Sequence, residues 1–160
     1  MSSTFSVTNL ARHTPVPRFP YTRIAASVLP GWEISLVFVS ALRARSLNER
    51  LRGKTYTPNV LSYAVGKKNG EIFICREAAD SEASAYGMSE RIFVLYLFIH
   101  GLLHLKGEAH SGTMERRERK LLAKYTKSGV SARTHAPTHS NRNRHRHVSG
   151  EAGRRRGTRR

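Results

Sequence analysis

The chain has 160 residues, the length of one domain with room for an extension. Its formal net charge is +17, from 28 lysines and arginines against 11 acidic residues. The single cysteine, Cys75, excludes an intramolecular disulfide and fits a reducing cytosol. The N-terminus lacks the basic start and apolar core of a secretion signal, and the apolar run Ile92–Ile99 is far below the ~20 residues that span a bilayer. We therefore expect a soluble, cytoplasmic protein.

The positive charge is unevenly distributed along the chain. Residues 131–160 contain nine arginines, one acidic residue (Glu151) and no aromatic residue, whereas residues 1–130 retain a net charge of +9. This balance favours a polyanionic partner, nucleic acid before an anionic membrane surface, although a basic surface also serves solubility. The C-terminal segment has too little apolar surface to fold alone. We expect a folded domain at residues 1–129 and a disordered, Arg/His-rich basic tail at residues 130–160.

Short strands and helices alternate along the predicted domain. Runs rich in apolar and β-branched residues predict four strands, at residues 4–8, 32–39, 59–63 and 71–75. Apolar spacing, with flanking caps and glycines, predicts five helices, at residues 19–29, 41–52, 76–86, 92–105 and 114–127. The segment from Gly66 to Gly70 predicts a hairpin turn between the last two strands. The fold class is therefore α+β, a small mixed sheet of about four strands packed with helices.

Two of the helices have faces that predict their packing. In helix 41–52, Leu42, Leu47 and Leu51 are expected near one face and the arginines on the other. Helix 92–105 follows a good N-cap, Ser89, and is apolar nearly all round. A helix of this kind is buried, so we expect it at the centre of the domain.

Three histidines lie at the end of this central helix and just beyond it. His100 and His104 are four residues apart, so their imidazoles lie on one face of a helix. Gly107 can adopt the left-handed conformation that ends a helix, and the resulting turn returns His110 to the same point. Three imidazoles around one point, with a fourth position open, are typical of a catalytic zinc site. We therefore predict one Zn²⁺ in a zincin-like cage, within a single metallohydrolase-like domain.

The three histidines also admit other interpretations. Histidine pairs at this spacing also occur by chance as core or surface residues. The spacing is that of the metzincin peptidases, but Gly101 stands where their glutamate, the general base, would be. Asp80 is the only aspartate, and no acidic pair falls beside the histidines, which disfavours a two-metal nuclease. Glu108 is near the ligands in sequence only, so no general base is assigned.

Four ordered segments of the sequence follow the pattern of one protein family. They fit L-N-x-x-Y-R-G-K, T-[DN]-V-L-S-F, G-D-I-x-I and H-G-x-L-H-L-x-G-Y-D-H, and the helix after the last segment also fits. In this chain they are Leu47–Lys54, Asn59–Tyr63, Gly70–Ile74 and His100–His110, followed by Met114, Glu115 and Glu118. On these segments the chain resembles the YbeY family over roughly residues 30–125.

The resemblance implies both an activity and a setting. The family is described as a metal-dependent endoribonuclease, specific for single strands, that acts in ribosomal RNA maturation, including the 3′ end of small-subunit RNA, and in ribosome quality control. The expected partners are therefore RNA and the ribosome or its small subunit, and no membrane. By this resemblance His100, His104 and His110 match the zinc ligands. Arg52 matches the functionally required arginine that faces the metal cleft.

Basic side chains near these segments are candidates for RNA contacts. Arg52 could present its planar guanidinium to the scissile phosphate. Four other residues could follow the RNA backbone: Arg50, Lys54, Lys67 and Lys68. Tyr56 or Tyr63 could stack on a base. The alternative for each residue is an ordinary surface or packing role.

The chain departs from the family pattern at several places. Glu108–Ala109 replaces Tyr-Asp, Thr57–Pro58 reverses Pro-Thr, and the Arg/His-rich tail has no counterpart. The departures leave the three candidate ligands intact. Two other functions remain open: a ribosome-associated RNA-binding factor with a structural metal, and a zinc peptidase, which Gly101 argues against.

Deletion of residues 131–160 is expected to flatten the salt dependence of RNA affinity without removing metal. The segment carries a net charge of +8, and phosphate contacts are the source of that salt dependence. RNA binding by fluorescence anisotropy over a range of salt concentrations measures the slope, and elemental analysis gives the metal content. An unchanged slope would contradict a role for the tail in RNA binding.

Overall fold

The computed structural model describes residues 4–11 and 13–126. Within these residues, five α-helices and a short 3₁₀ turn surround a four-stranded mixed sheet, which confirms the predicted α+β class. The predicted basic tail at residues 130–160 lies outside the described residues, as does the last residue of the helix predicted at 114–127.

The elements follow the predicted order, with ends that differ by up to three residues. The strands are β1 (Thr4–Asn9), β2 (Glu33–Val39), β3 (Val60–Gly66) and β4 (Asn69–Cys75). The helices are α1 (Tyr21–Val28), α2 (Ala41–Arg52), α3 (Arg76–Ala83), α4 (Glu90–Leu105) and α5 (Gly112–Tyr125). The 3₁₀ turn at Ser84–Tyr86 follows α3 directly.

The sheet has the strand order β1-β2-β4-β3. β1 and β4 both pair with β2 in parallel, and β3 pairs with β4 in antiparallel. The β3–β4 connection is the predicted hairpin, with Lys67 and Lys68 at its tip. β2 and β4 are the inner strands. Inner strands covered on both faces are expected to be apolar throughout, as most of β2 is.

Alternating side chains of β2 enter two separate clusters. Leu36 and Phe38 belong to the main core, which α1 and α4 share. Val37 and Val39 belong to a smaller cluster that includes Ala44 of α2. This alternation follows from the strand period of two residues, so the sheet has α4 on one face and α2 on the other.

The central helix, α4, is buried as predicted, since ten of its sixteen residues are inaccessible. Phe98 makes edge-to-face contacts with Phe5 of β1 and Tyr21 of α1, with ring centroids 5.9 and 5.1 Å apart. Gly101 lies directly over β4, and a Cβ atom at this position would come within 3.1 Å of Ile72 Cγ2. Glycine therefore permits the close approach of α4 to the sheet.

Serine caps fix the starts of three helices. Ser40, Ser89 and Ser111 each accept a hydrogen bond from the backbone N–H three residues ahead, at 3.4, 3.4 and 3.3 Å. The predicted cap at Ser89 is confirmed. At the other end of α2, Gly53 takes the left-handed conformation, with φ of 64°, and ends the helix where the sequence predicted.

The predicted inward face of α2 is wrong. Leu42 is 81% exposed and Leu51 is 48% exposed, whereas the buried residues of the helix are Ala44 and Asn48. At 3.6 residues per turn, Leu47 and Leu51 lie about 140° and 180° around the helix from Leu42, so the leucines do not share a face. Ala44 and Asn48, four residues apart, do share a face and let α2 lie close to the sheet.

Within the described residues, no single helix is both long enough and apolar enough to cross a bilayer. By length and composition only, α3 with its 3₁₀ extension and α4 together meet that test across a bend of 102°.

Gly101→Val is expected to lower the free energy of unfolding by about 1–3 kcal/mol, because the added atoms collide with the buried side chain of Ile72. Helix propensity alone favours valine over glycine, so a lower free energy of unfolding in Gly101→Val is due to the packing collision. Urea denaturation measures the change. Ala123→Val, at an exposed position of α5, is the control and should cost much less. Equal stability of Gly101→Val and the parent chain would contradict the close approach.

Candidate metal centre

The three predicted ligands come together at the end of α4. One nitrogen of each of His100, His104 and His110 lies within 4.8 Å of the others. The ring centroids are 4.4 to 5.1 Å apart. Gly107 has the left-handed φ of 94° that the sequence predicted, and its N–H donates to the carbonyl of His104, which ends the helix. The turn at Gly107 therefore brings the third imidazole back to the first two.

Hydrogen bonds orient the two imidazoles of α4. Nδ1 of His100 lies 2.7 Å from Oε1 of Glu118, and Nδ1 of His104 lies 2.9 Å from the carbonyl oxygen of Glu108. Both partners are acceptors, which places the imidazole proton on Nδ1 and the lone pair on Nε2. Metal-binding histidines are commonly held in this way.

The donor arrangement fits a metal ion. Nε2 of His100 and Nε2 of His104 are 3.0 Å apart. Two nitrogen lone pairs directed at each other at this distance repel unless a cation lies between them. Nitrogen ligands ~2.0–2.1 Å from a tetrahedral ion are about 3.3 Å apart, close to the observed separation. His100, His104 and His110 could therefore hold one ion together.

The environment keeps His104 neutral. Burial lowers the pKa of His104 below its ordinary value, and the neighbouring His100 lowers it further. A histidine must be neutral to bind a metal, because a protonated imidazole has no free lone pair. Metal binding by His104 at pH 7 therefore carries little cost of deprotonation.

Glu118 is a site residue to which sequence reasoning gave no role. It lies on α5, is only 5% exposed and contacts His100. Burial of Tyr96 is the main cause that raises the pKa of its phenol. The charge of Glu118 raises this pKa further, so the phenol stays protonated. The sequence offers two signals, the fit of Glu118 to the family pattern and its spacing of four residues from Met114, which places both on the inward face of α5. That spacing cannot show that the face meets a histidine of another helix.

Glu108 does not act as a ligand or base in this arrangement. Its side chain makes an ion pair with Arg117 of α5, and its backbone carbonyl holds His104. Glu108 therefore orients His104 through its backbone and links the end of α4 to α5 through its side chain. The sequence alone does not indicate where the side chain of Glu108 points.

The histidines open into a cleft of about 820 Å³. Its walls are the end of α2, the segment 56–62, residues near the end of α3, and α4 with the third histidine. The lining residues used below are Arg52, Tyr56, Asn59, Glu82, Tyr86, Tyr96, His100, His104 and His110. The structure thus brings Arg52 and the three histidines to one cleft.

Asn48 holds one wall of this cleft. The residue is fully buried in α2, and its Nδ2 donates to the carbonyl of Tyr56 at 2.9 Å. Its backbone carbonyl accepts from the N–H groups of Gly53 and Lys54. Asn48 therefore fixes the loop after α2 and, with it, the position at which Arg52 enters the cleft.

The other basic candidates lie outside the lining of the cleft. Arg50 and Lys54 are exposed at the end of α2 and just after it. Lys67 and Lys68 are exposed at the hairpin tip, at the far end of β3 from the cleft, or about 20 Å away along a strand of this length. Their proposed contacts with RNA remain predictions.

The two tyrosines considered for base stacking have different positions. Tyr56 lines the cleft and is 55% exposed. Tyr63 stacks on Phe73 and donates its hydroxyl to Glu71, away from the cleft lining. Sequence reasoning missed Tyr86 and Tyr96, which do line the cleft. Tyr96 belongs to a helix that is apolar nearly all round, so its sequence context does not distinguish it from a core residue.

The fold and the site together define a class. An α+β domain with three convergent histidines and an arginine in one open cleft has the residues of a mononuclear metallohydrolase. The family described as endoribonuclease YbeY matches residues 14–127. The chain belongs to the YbeY family.

Curated relatives support this assignment. Proteins named endoribonuclease YbeY are 35% identical in Spiroplasma citri, over 91 residues (49% of this chain, 58% of that one), and 33% identical in Chromobacterium violaceum, over 91 residues (52% and 54%). The chain thus spans little more than half the length of these relatives. The protein of that name from Paraburkholderia phytofirmans is 32% identical over 111 residues, 63% of this chain and 72% of that one.

A solved structure has the same fold. The solution structure of TM1509 from Thermotoga maritima matches with a TM-score of 0.56 over 74% of this chain and 87% of that protein. The sequence identity is 20%, so the likeness concerns the fold alone.

Glu118→Ala is expected to weaken metal affinity about 10–100-fold, because His100 loses the acceptor that fixes its proton on Nδ1. Titration with Zn²⁺ against a competing chelator measures the affinity. Glu115→Ala, one turn earlier at an exposed position of the same helix, is the control and should leave the affinity unchanged. Equal affinities for both variants would show that Glu118 does not orient the ligand.

Proposed function

We propose that this protein is a zinc-dependent endoribonuclease that cleaves single-stranded RNA in the cytoplasm. The observation that carries the proposal is the presence of three convergent imidazoles and Arg52 in one open cleft. Membership of a family described as endoribonuclease YbeY supports the same activity. The net charge of +9 on residues 1–130 suits a polyanionic substrate.

Zinc is the metal that this donor set favours. The candidate ligands are three imidazole nitrogens, which suit Zn²⁺ better than Mg²⁺ or Ca²⁺, since those ions prefer oxygen. When bound, Zn²⁺ supplies Lewis acidity towards a phosphoryl oxygen and lowers the pKa of water to about 7. Three protein ligands leave a position open for that chemistry.

Arg52 binds and neutralises the phosphate in this mechanism. Its guanidinium is always charged and presents planar donors that match phosphate oxygens. Asn48 fixes the loop that follows Arg52, so the side chain enters the cleft from a defined point. Arg52 therefore stabilises the negative charge that develops on the phosphate during cleavage.

The remaining residues orient the substrate and the ligands. Glu118 and the carbonyl of Glu108 hold the imidazoles of His100 and His104. Tyr56, exposed at the cleft, offers an aromatic face on which an unpaired base can stack. Bases are available for stacking in single strands and not in duplexes, so the cleft selects single-stranded RNA.

The biological setting follows from family membership. We infer that the substrate is ribosomal RNA, that the protein matures the 3′ end of small-subunit RNA, and that it associates with the ribosome and takes part in its quality control. Exposed basic residues outside the cleft, among them Arg50, Lys54, Lys67 and Lys68, then serve as contacts to the RNA backbone.

The second candidate function is a ribosome-associated RNA-binding factor in which the metal has a structural role. The imidazoles of His100 and His104 link α4 to α5 and to the turn after α4, so a bound ion would also stabilise the fold. A peptidase role is disfavoured. Gly101 carries no general base, and a Cβ atom at this position would already come within 3.1 Å of Ile72 Cγ2.

The test compares His104→Ala with Arg52→Ala. His104→Ala is expected to lose metal and RNA cleavage together. Arg52→Ala is expected to keep metal and to lower the cleavage rate about 10²–10³-fold, the usual effect of removing one donor to a developing charge. Cleavage of a labelled single-stranded RNA and elemental analysis give the two readouts. Arg45→Ala, exposed on the same helix and outside the cleft lining, is the control.

Different outcomes favour different functions. If the zinc-loaded protein cuts no RNA and His104→Ala lowers only the melting temperature, the metal is structural. If casein is hydrolysed and a chelator abolishes the reaction, the peptidase interpretation returns. If Arg52→Ala cleaves at the parent rate, Arg52 has no part in the reaction.

A further inference from the structure

The cleft contains one acidic residue among the described residues that line it, Glu82. This residue lies near the end of α3, and its Oε2 accepts a hydrogen bond from Nδ2 of Asn59 at 2.8 Å. Asn59 lines the same cleft, just before β3. Both side chains are half-buried. Together they form a fixed polar corner in the cleft.

The charge of this corner is opposite to what a phosphate requires. Arg52 supplies positive charge elsewhere in the cleft, whereas a carboxylate repels the RNA backbone. A carboxylate in a nucleic-acid site instead accepts hydrogen bonds from the N–H groups of a base edge. Glu82 is therefore suited to contact a base and not the backbone.

Aromatic rings connect this corner to the histidines. Tyr86 lies four residues after Glu82, and both line the cleft. The ring of Tyr86 is 5.8 Å from that of Tyr96, which is 5.9 Å from the imidazole of His100. The polar corner is thus separated from the candidate metal ligands by two neighbouring rings. Aromatic walls of this kind stack on unpaired bases whatever their identity, so the polar groups must supply any selectivity.

We propose that Glu82 and Asn59, beside the rings of Tyr86 and Tyr96, form a subsite that selects guanine in the single-stranded RNA proposed above as substrate. The proposal rests on that function for its ligand class. Guanine presents two adjacent donors, N1–H and N2–H, on its Watson–Crick edge, and these match the acceptor oxygens of a carboxylate and an amide. Uracil has one donor between two carbonyl oxygens on that edge, so it would direct acceptors at acceptors.

The contact between Glu82 and Asn59 is what makes the pair selective. The amide N–H group of Asn59 occupies one carboxyl oxygen and holds the carboxyl group in place. The second carboxyl oxygen and Oδ1 of Asn59 are both acceptors. A base that lacks paired donors leaves these groups unsatisfied, which is the usual source of strong discrimination.

The same contact also joins α3 to the start of β3, so the test must separate selectivity from folding. Glu82→Gln keeps an oxygen that accepts from Asn59, and it replaces the second acceptor with a donor. Glu33→Gln is a matched control. Glu33 accepts from Nδ2 of Asn69 at 3.3 Å in a similar carboxyl–amide pair, and neither of these two residues lines the cleft.

The experiment measures binding of 2′-O-methyl heptanucleotides, which resist cleavage, to the zinc-loaded full chain. One oligonucleotide is all uridine, and the other has guanosine at its centre. The parent protein is expected to bind the guanosine oligonucleotide about tenfold more tightly by fluorescence anisotropy, the preference of one good paired contact. Glu82→Gln is expected to bind the two within about twofold of each other, whereas Glu33→Gln keeps the parent preference.

Parallel cleavage of the unmodified RNAs distinguishes this proposal from the function on which it rests. Equal binding of both oligonucleotides by the parent chain, or a preference that survives Glu82→Gln, would overturn the subsite even if RNA is cleaved. A guanosine preference lost only in Glu82→Gln, without any cleavage, would support the subsite and overturn the nuclease. If neither oligonucleotide binds, the subsite falls, and the nuclease falls with it only if the unmodified RNAs are not cleaved either.

Discussion

The close approach of α4 to β4 is the constraint on which the rest of the site depends. Gly101 lies against Ile72, and this contact sets the depth and rotation of the central helix. Because His100 and His104 lie on the same helix, their positions are fixed by a packed core and not by a flexible loop. A glutamate beside the first histidine would have to displace Ile72, because a Cβ atom at position 101 comes within 3.1 Å of Ile72 Cγ2.

The remaining parts of the site come from elements on either side of this helix. α5 supplies Glu118, which contacts His100, and the loop held by Asn48 supplies one wall of the cleft. Positive charge from Arg52 and negative charge from Glu82 lie in the same cleft. A nucleic acid carries groups that complement both charges, namely phosphates for Arg52 and base N–H groups for Glu82.

Much of this arrangement could be predicted from local sequence. Ser89 caps the helix that carries His100 and His104, Gly107 turns the chain so that His110 joins them, and both signals act within a few residues. Glu118 and Glu82 could not be predicted, because the role of each depends on which distant element packs against its own. The wrong inward face of α2 is a local error, since the spacing of 3.6 residues per turn already separates Leu42 from Leu47 and Leu51. Spacing along a helix identifies a face, but it does not identify what that face meets.

The strand order has a consequence for the order of folding. β4 lies between β2 and β3, although both of these precede it in the chain. β3 and β4 form a local hairpin, so the slower, non-local step is the parallel pairing of β4 with β2. α4 packs on β3 and β4, and α5 packs on α4, so the convergence of the histidines depends on that sheet. The opposed lone pairs of His100 and His104 resist this convergence, and a cation that relieves the repulsion would stabilise the fold as well as the site.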